Sequence, residues 1–160
     1  MNKKKNQTPS DNFAINLNRA LHFLSFRPRS EKEVQDYLKK KKVSSITALK
    51  IMDKLKEHKF LNDEEFAKWF IEQRTRMRPK AWRIIKFELK NKGISEEIIQ
   101  NSELRVQNDE EIAAKLAEKR MARYKNLPKE EVYQKLGRYL SSKGFGWDII
   151  KKSIDGEFSK

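Results

Sequence analysis

Apolar residues recur at helical spacing along almost the whole of this chain. Phe13, Leu17, Ala20, Leu21 and Leu24 form one stripe, Val34, Tyr37 and Leu38 a second, and Ile46, Leu49, Ile51, Met52 and Leu55 a third. Phe66, Trp69 and Phe70 follow, then Trp82, Ile85 and Leu89, then Ile98 and Ile99. Ile112, Leu116 and Tyr124 begin a last set, continued by Val132, Leu136 and Leu140 and by Ile149 and Ile150. Residues three or four apart share a helix face, so each group predicts an amphipathic helix. No segment alternates apolar with polar convincingly, and no strand is predicted.

The polar residues between these groups read as helix boundaries. Ser30 and Glu33 have capping-box spacing ahead of Val34, and Lys39 to Lys42 put cations at the negative end of that helix. Ser44 or Ser45 caps the next helix, which ends around His58. Pro79 suits a first helical position, Gly93 a corner four residues past Leu89, and Ser95 the start of the following helix.

The pattern repeats. Val34, Ile85 and Leu136 are 51 residues apart, as are Leu38, Leu89 and Leu140, and Leu89 through Ser95 returns as Leu140 through Gly146. Asn62-Asp63-Glu64-Glu65 running on to Arg74 returns as Asn108-Asp109-Glu110-Glu111 running on to Arg120. Asn or Asp at a helix start accepts orphan backbone N–H groups, and first-turn acids suit the dipole, so capping explains both motifs. The fold predicted is all-α, an elongated tandem array of three three-helix repeats, each burying its apolar face on its neighbour. The divisions drawn from sequence are a flexible basic arm at 1–10 and repeats at 11–60, 61–106 and 107–160.

Charge adds direction to this picture. The net charge is +14, and residues 1–93 hold +13 of it, with twenty-four bases against eleven acids. A basic excess confined to part of a chain points to a polyanionic partner there: nucleic acid, an acidic protein or anionic lipid. Arg74, Arg76 and Arg78 alternate on the approach to Pro79 and Lys80. Arg83, Lys86 and Lys90 then line one outward stripe. The repeat supplies an internal control, because the same columns hold Lys32, Gln35 and Lys39 in the first unit and Gln134, Gly137 and Ser141 in the third. The candidate binding set is therefore Lys32, Lys39, Arg74, Arg76, Arg78, Lys80, Arg83, Lys86 and Lys90.

Catalytic chemistry is not assembled. His22 and His58 have no partner at metal-ligand spacing, and there is no phosphate-loop glycine motif. No cysteine is present, which removes disulfides and thiolate metal sites and fits a reducing cytoplasm. No signal peptide or apolar run long enough to span a membrane is read. The expectation is no enzyme, no cofactor, no metal and no membrane. Trp69, Trp82 and Trp147 could stack on bases, although their spacing also suits a core.

Four segments carry a resemblance. They are Arg27-Pro28-Arg29-Ser30 with Glu33 and Leu38; Phe60 through Ala67; Glu88 through Ile94; and Lys143-Gly144-Phe145 with Ile149-Ile150. In this order the chain resembles the RecX family of bacterial regulatory proteins. The resemblance implies tandem three-helix repeats and a monomer that binds the RecA recombinase filament on single-stranded DNA. It further implies restraint of filament growth, ATP hydrolysis and strand exchange, in the setting of DNA repair, homologous recombination and the SOS response. Direct DNA binding, to single strands and to duplex, is implied for some members. A helical nucleic-acid-binding module acting without RecA, and an adaptor for an acidic protein surface, remain the alternatives.

Overall fold

In the first described helix the apolar stripe starting at Phe13 turns inward, and the pattern continues unit by unit. The structure, a computed structural model, describes residues 11–103 and 108–160; the basic arm at 1–10 lies outside them, as does the 106/107 division. Among the described residues there are nine helices and no strand. They are α1 (Phe13–Ser25), α2 (Glu31–Lys40), α3 (Ser45–Glu57), α4 (Asp63–Arg76), α5 (Trp82–Asn91), α6 (Glu96–Glu103), α7 (Asp109–Met121), α8 (Lys129–Ser142) and α9 (Trp147–Phe158).

Local chemistry sets most of these starts. Ser30 and Glu33 form the full capping box on α2, and the Ser44 hydroxyl caps α3. The Asn62 carboxamide accepts from the N–H groups of Glu64 and Glu65, and Asn108 accepts from Glu110. Pro79 differs from expectation. It lies ahead of α5 rather than in its first turn, because Ala81 is extended (φ −61°, ψ 146°) and its N–H is committed to the Lys143 carbonyl at 2.9 Å. The helix begins only after that bond.

Each repeat has its own core. Val34, Leu38, Ile51 and Leu55 pack with Ala20 and Leu61 in the first, and Phe66, Phe70, Ile85, Leu89 and Ile99 form the second. Ile112, Val132, Leu136, Leu140 and Ile154 form the third, which also takes in Ala81 from the second repeat's side. The six register positions Val34, Leu38, Ile85, Leu89, Leu136 and Leu140 are all at most 1% exposed. In α3 the core face is Thr47, Ile51, Met52 and Leu55, whereas Ile46 and Leu49 stay 70% and 65% exposed. At 100° per residue Leu49 lies about 160° around the helix from Ile51, so both cannot face inward.

The repeats are joined by the same device twice. The start of α2 sits on the corner after α5, where the Ser30 hydroxyl donates to the Lys92 carbonyl at 2.7 Å. The Glu31 N–H donates to Asp63 Oδ1 at 2.8 Å. One repeat on, Ala81 docks on Lys143, and the Trp82 N–H donates to Asp109 Oδ1 at 2.9 Å. The aspartate after each capping asparagine thus caps a helix of the preceding repeat. Both corners turn through glycine, with φ +81° at Gly93 and +91° at Gly144. An added Cβ would stand 2.7 Å from Lys32 Cβ at the first corner and 2.3 Å from Ile84 Cγ1 at the second. At the equivalent corner of the first repeat, Lys42 takes φ +57°.

Candidate polyanion interface

The nine basic residues singled out from the sequence have divergent surroundings. Arg74 and Lys80 converge on Glu88, with Arg74 Nε at 2.6 Å from Glu88 Oε2. Burial would raise the Glu88 pKa, but hydrogen bonds from Lys80 and Arg74 lower it. Lys86 and Lys90 share Glu96, at 3.1 and 2.7 Å, and those two hydrogen bonds hold its carboxyl below the ordinary range. Arg83 donates to the Gly144 carbonyl, and Lys32 donates to the Asn91 carbonyl at 3.0 Å. These two strengthen the joints between repeats. The outward stripe of Arg83, Lys86 and Lys90 is therefore made of two ion-paired lysines and one joint residue. Lys39 and Arg78 are exposed and have no carboxylate partner among the described residues, and Arg76 pairs with Glu72 at 2.8 Å on the open surface.

Arg76 and Arg78 belong to a larger arrangement. The segment from Thr75 to Pro79 forms one wall of a cleft of about 480 Å³ whose other wall is α7 and the end of α8. Arg76, Arg78, Lys115, Lys119, Arg120, Arg123 and Lys143 line it, and no acid among the described residues does. Of these seven cations only Arg76 has a carboxylate partner among the described residues. Three of the four acids of α7 are engaged elsewhere: Asp109 caps α5, Glu110 meets Lys152 at 2.5 Å, and Glu118 meets Lys160 at 3.5 Å.

The repeat register explains why the cleft stays cationic. Arg74 and Arg120 are equivalent, and Glu88 stands 51 residues before Tyr139. In the second repeat the arginine meets a carboxylate; in the third it meets a ring. Arg120 lies 4.1 Å over Tyr139, and Lys143 sits 5.6 Å from the same ring. A π-face attracts both without cancelling either charge. Arg120 Nε is buried with no hydrogen-bond partner among the described residues. Crowded like charges between low-dielectric walls focus a positive potential, which an anion relieves.

Sequence reasoning missed the third-repeat half of this cleft. Residues 94–126 sum to −1, which hid the spacing of Lys115, Lys119 and Arg123 at four-residue intervals on one helical line. That spacing was the available signal. No group of three or more potential metal ligands comes together among the described residues, and none of their helices is long and apolar enough to cross a membrane.

Comparison with known proteins agrees with the architecture. Three domain models match in tandem: the first three-helix domain of RecX over residues 17–55, the second over 62–102 and the third over 108–154. The regulatory protein RecX of Bacillus subtilis (strain 168) is 36% identical over 87% of this chain and 53% of its own length. That of Streptococcus uberis is 34% identical over 92% of this chain and 57% of its own length. The chain thus spans about half the length of these curated relatives. The crystal structure of RecX from Lactobacillus salivarius superposes with a TM-score of 0.73 at 29% identity, covering 90% of this chain and 95% of that one. A second crystal structure of regulatory protein RecX gives 0.71 at 28% identity, covering 89% and 71%. Three consecutive RecX domains, these relatives and the shared fold show that the chain belongs to the RecX family of regulatory proteins.

Proposed function

We propose that this chain regulates the RecA recombinase by binding its filament on single-stranded DNA as a monomer in the cytoplasm, slowing ATP hydrolysis and filament growth. The observation that carries the proposal is the cleft between the second and third repeats, lined among the described residues by seven cations and no acid. A filament on DNA presents closely spaced phosphates, and such a cleft gains by exchanging their counterions for lysine and arginine. Arg76 and Arg78 act there with Lys115, Lys119 and Arg123. Lys39, the ion-paired Arg74, Lys80, Lys86 and Lys90, and the joint residues Lys32 and Arg83 are secondary contacts or set the shape of the array. No step of catalysis is assigned to the chain; its effect is regulatory.

The test is RecA ATP turnover on single-stranded DNA at fixed salt. Lys115→Glu with Lys119→Glu should abolish most inhibition, since both side chains are exposed and unpaired among the described residues. Lys50→Glu with Lys151→Glu makes the same charge change elsewhere and should inhibit like the parent. Equal inhibition by all three proteins overturns the role of the cleft. If the parent leaves turnover unchanged while binding bare DNA, RecA regulation fails and the reading as a free-standing nucleic-acid-binding module stands.

A further inference from the structure

The cationic cleft is the first of three hollows that run into one another across the third repeat. It shares Arg120 and Tyr139 with a shallow groove that adds Lys135 and Arg138. That groove shares Arg138 and Ser142 with a third hollow of about 720 Å³. The third is different in kind. Tyr133 and Trp147 flank it, Gly137, Phe145 and Ile150 contribute its apolar lining, and Arg138 is its only charged residue among those described.

Register accounts for the change of character. Where the second repeat has Lys86, Lys90 and Glu96 closed into ion pairs, the third has Gly137, Ser141 and Trp147. With glycine below it, the Trp147 ring settles over α8, and a Cβ on Gly137 would sit 3.8 Å from its Cζ3. The outer part of the indole remains open, since Trp147 is 60% exposed. Its neighbour Tyr133 is 6.5 Å away between ring centroids, at 57°.

We propose that this groove is a binding site for an unpaired nucleobase, stacked on Trp147 beside Tyr133, with Arg138 taking the adjoining phosphate. The proposal rests on the reading of the cleft as a phosphate-binding surface and deepens it by adding a base-stacking position beside the phosphate path. Two features select this occupant over an apolar side chain of a protein. The groove is continuous with the basic path, so a strand whose phosphates lie along that path delivers bases to it. An exposed aromatic beside a guanidinium is also the combination that holds single strands without reading sequence. In a duplex the bases are already stacked on each other, so Trp147 has nothing to receive and the site discriminates against it.

The experiment measures binding of the full chain to a labelled oligothymidylate and to a duplex of equal length at one low salt concentration. Trp147→Ala should weaken the oligothymidylate by roughly tenfold to a hundredfold, the usual range for losing one base–aromatic stack. Duplex binding should change less than about twofold, and the salt slope should be unchanged because no phosphate contact is lost. Trp147→Phe should recover most of the affinity. An oligomer of abasic units should bind the parent as weakly as the alanine variant binds thymidylate, and the variant should not weaken it further. Gly137→Leu puts a strong helix former at a helix-interior glycine and fills the groove with the indole still present. It should give the same selective loss and decides the matter if the alanine variant does not fold. Equal losses on both DNAs, no loss, or full binding of the abasic oligomer by the parent overturn the base site. So does a parent that binds no bare oligomer, or an alanine variant that loses only RecA inhibition, which would make the groove a protein contact. RecA turnover with the lysine variants judges the proposed function separately.

Discussion

Replacing Gly144 with alanine perturbs one joint and little else. Its φ of +91° lies in the left-handed region, where a side chain costs about 1–2 kcal/mol. The new Cβ would also stand 2.3 Å from Ile84 Cγ1 and 3.0 Å from its Cδ1. Ile84 must shift or the corner must lift from α5, and overpacking of this kind costs about 1–3 kcal/mol. Together the variant should lose about 2–5 kcal/mol, a drop in Tm of roughly 5–20 °C for a chain of this size. Far-UV circular dichroism during thermal and urea unfolding reads it. The companion is Ile84→Ala, which removes the colliding atoms but leaves the backbone conformation. In that background Gly144→Ala should cost only the backbone part, about 1–2 kcal/mol. The third member of the set is Lys42→Gly at the equivalent corner of the first repeat, where φ is +57°. It should stabilise by up to about 1 kcal/mol by relieving the same conformation. Gly144→Ala within about 0.5 kcal/mol of the parent, or a cost indifferent to Ile84, would refute the joint as described.

Three further outcomes follow from the same geometry. Asp63→Ala removes the acceptor for the Glu31 N–H and should cost about 0.5–2 kcal/mol in urea unfolding. Burial raises the Asp63 pKa, with the Glu31 N–H opposing it in part, so Asp63→Asn, which keeps an acceptor without a buried charge, should be the milder change. For Glu33, burial alone would raise the pKa, but hydrogen bonds from Arg27, Lys92 and the Ser30 N–H outweigh it and hold the group at about 2 against an ordinary 4.5. A carboxyl depressed by folding stabilises fully above its unfolded pKa and loses that contribution as pH falls toward the folded value. Glu33→Gln should therefore flatten the decline in stability between about pH 4.5 and 2, and an unchanged acid limb would contradict the account. Leu89→Ala, at a fully buried register position, should cost about 2–5 kcal/mol; a neutral result would mean the 51-residue register is misread.

Helices, caps and core columns were legible in the sequence because their causes are local. Apolar periodicity, an asparagine before three acids and a serine three residues before a glutamate act within one or two turns. What escaped depends on neighbours distant in the chain. Asp63 looks like a first-turn acid of its own helix, and only the docked α2 makes it a cap for Glu31. Gly93 and Gly144 read correctly as helix-ending corners, but their second role, close approach by Lys32 and Ile84, needs the adjacent repeat. Arg83, Lys86 and Lys90 do lie on one side of α5. Their partners, the Gly144 carbonyl and Glu96, are on later elements that helical periodicity cannot see. The cleft was hidden for a different reason. Charge summed along a segment treats Glu110 and Lys115 as cancelling, whereas folding sends the first to Lys152 and the second to the cleft.

The cleft has walls from two repeats, and the directional bonds that tie those walls together are those of the second joint. Ala81, Trp82 and Arg83 fasten to Lys143, Asp109 and Gly144 just beyond Pro79, where the Arg76–Arg78 wall ends. Directional bonds of this sort do not slide, so the coupling between these repeats is engaged or released with little between. An anion lodged in the cleft draws the two walls together and so favours the engaged position. By linkage, a change that loosens the joint lowers affinity in the cleft to the extent that it depopulates the engaged position. Gly144→Ala, chosen as a stability variant, is then also a binding variant, and inorganic polyphosphate should raise the parent's unfolding temperature more than the variant's.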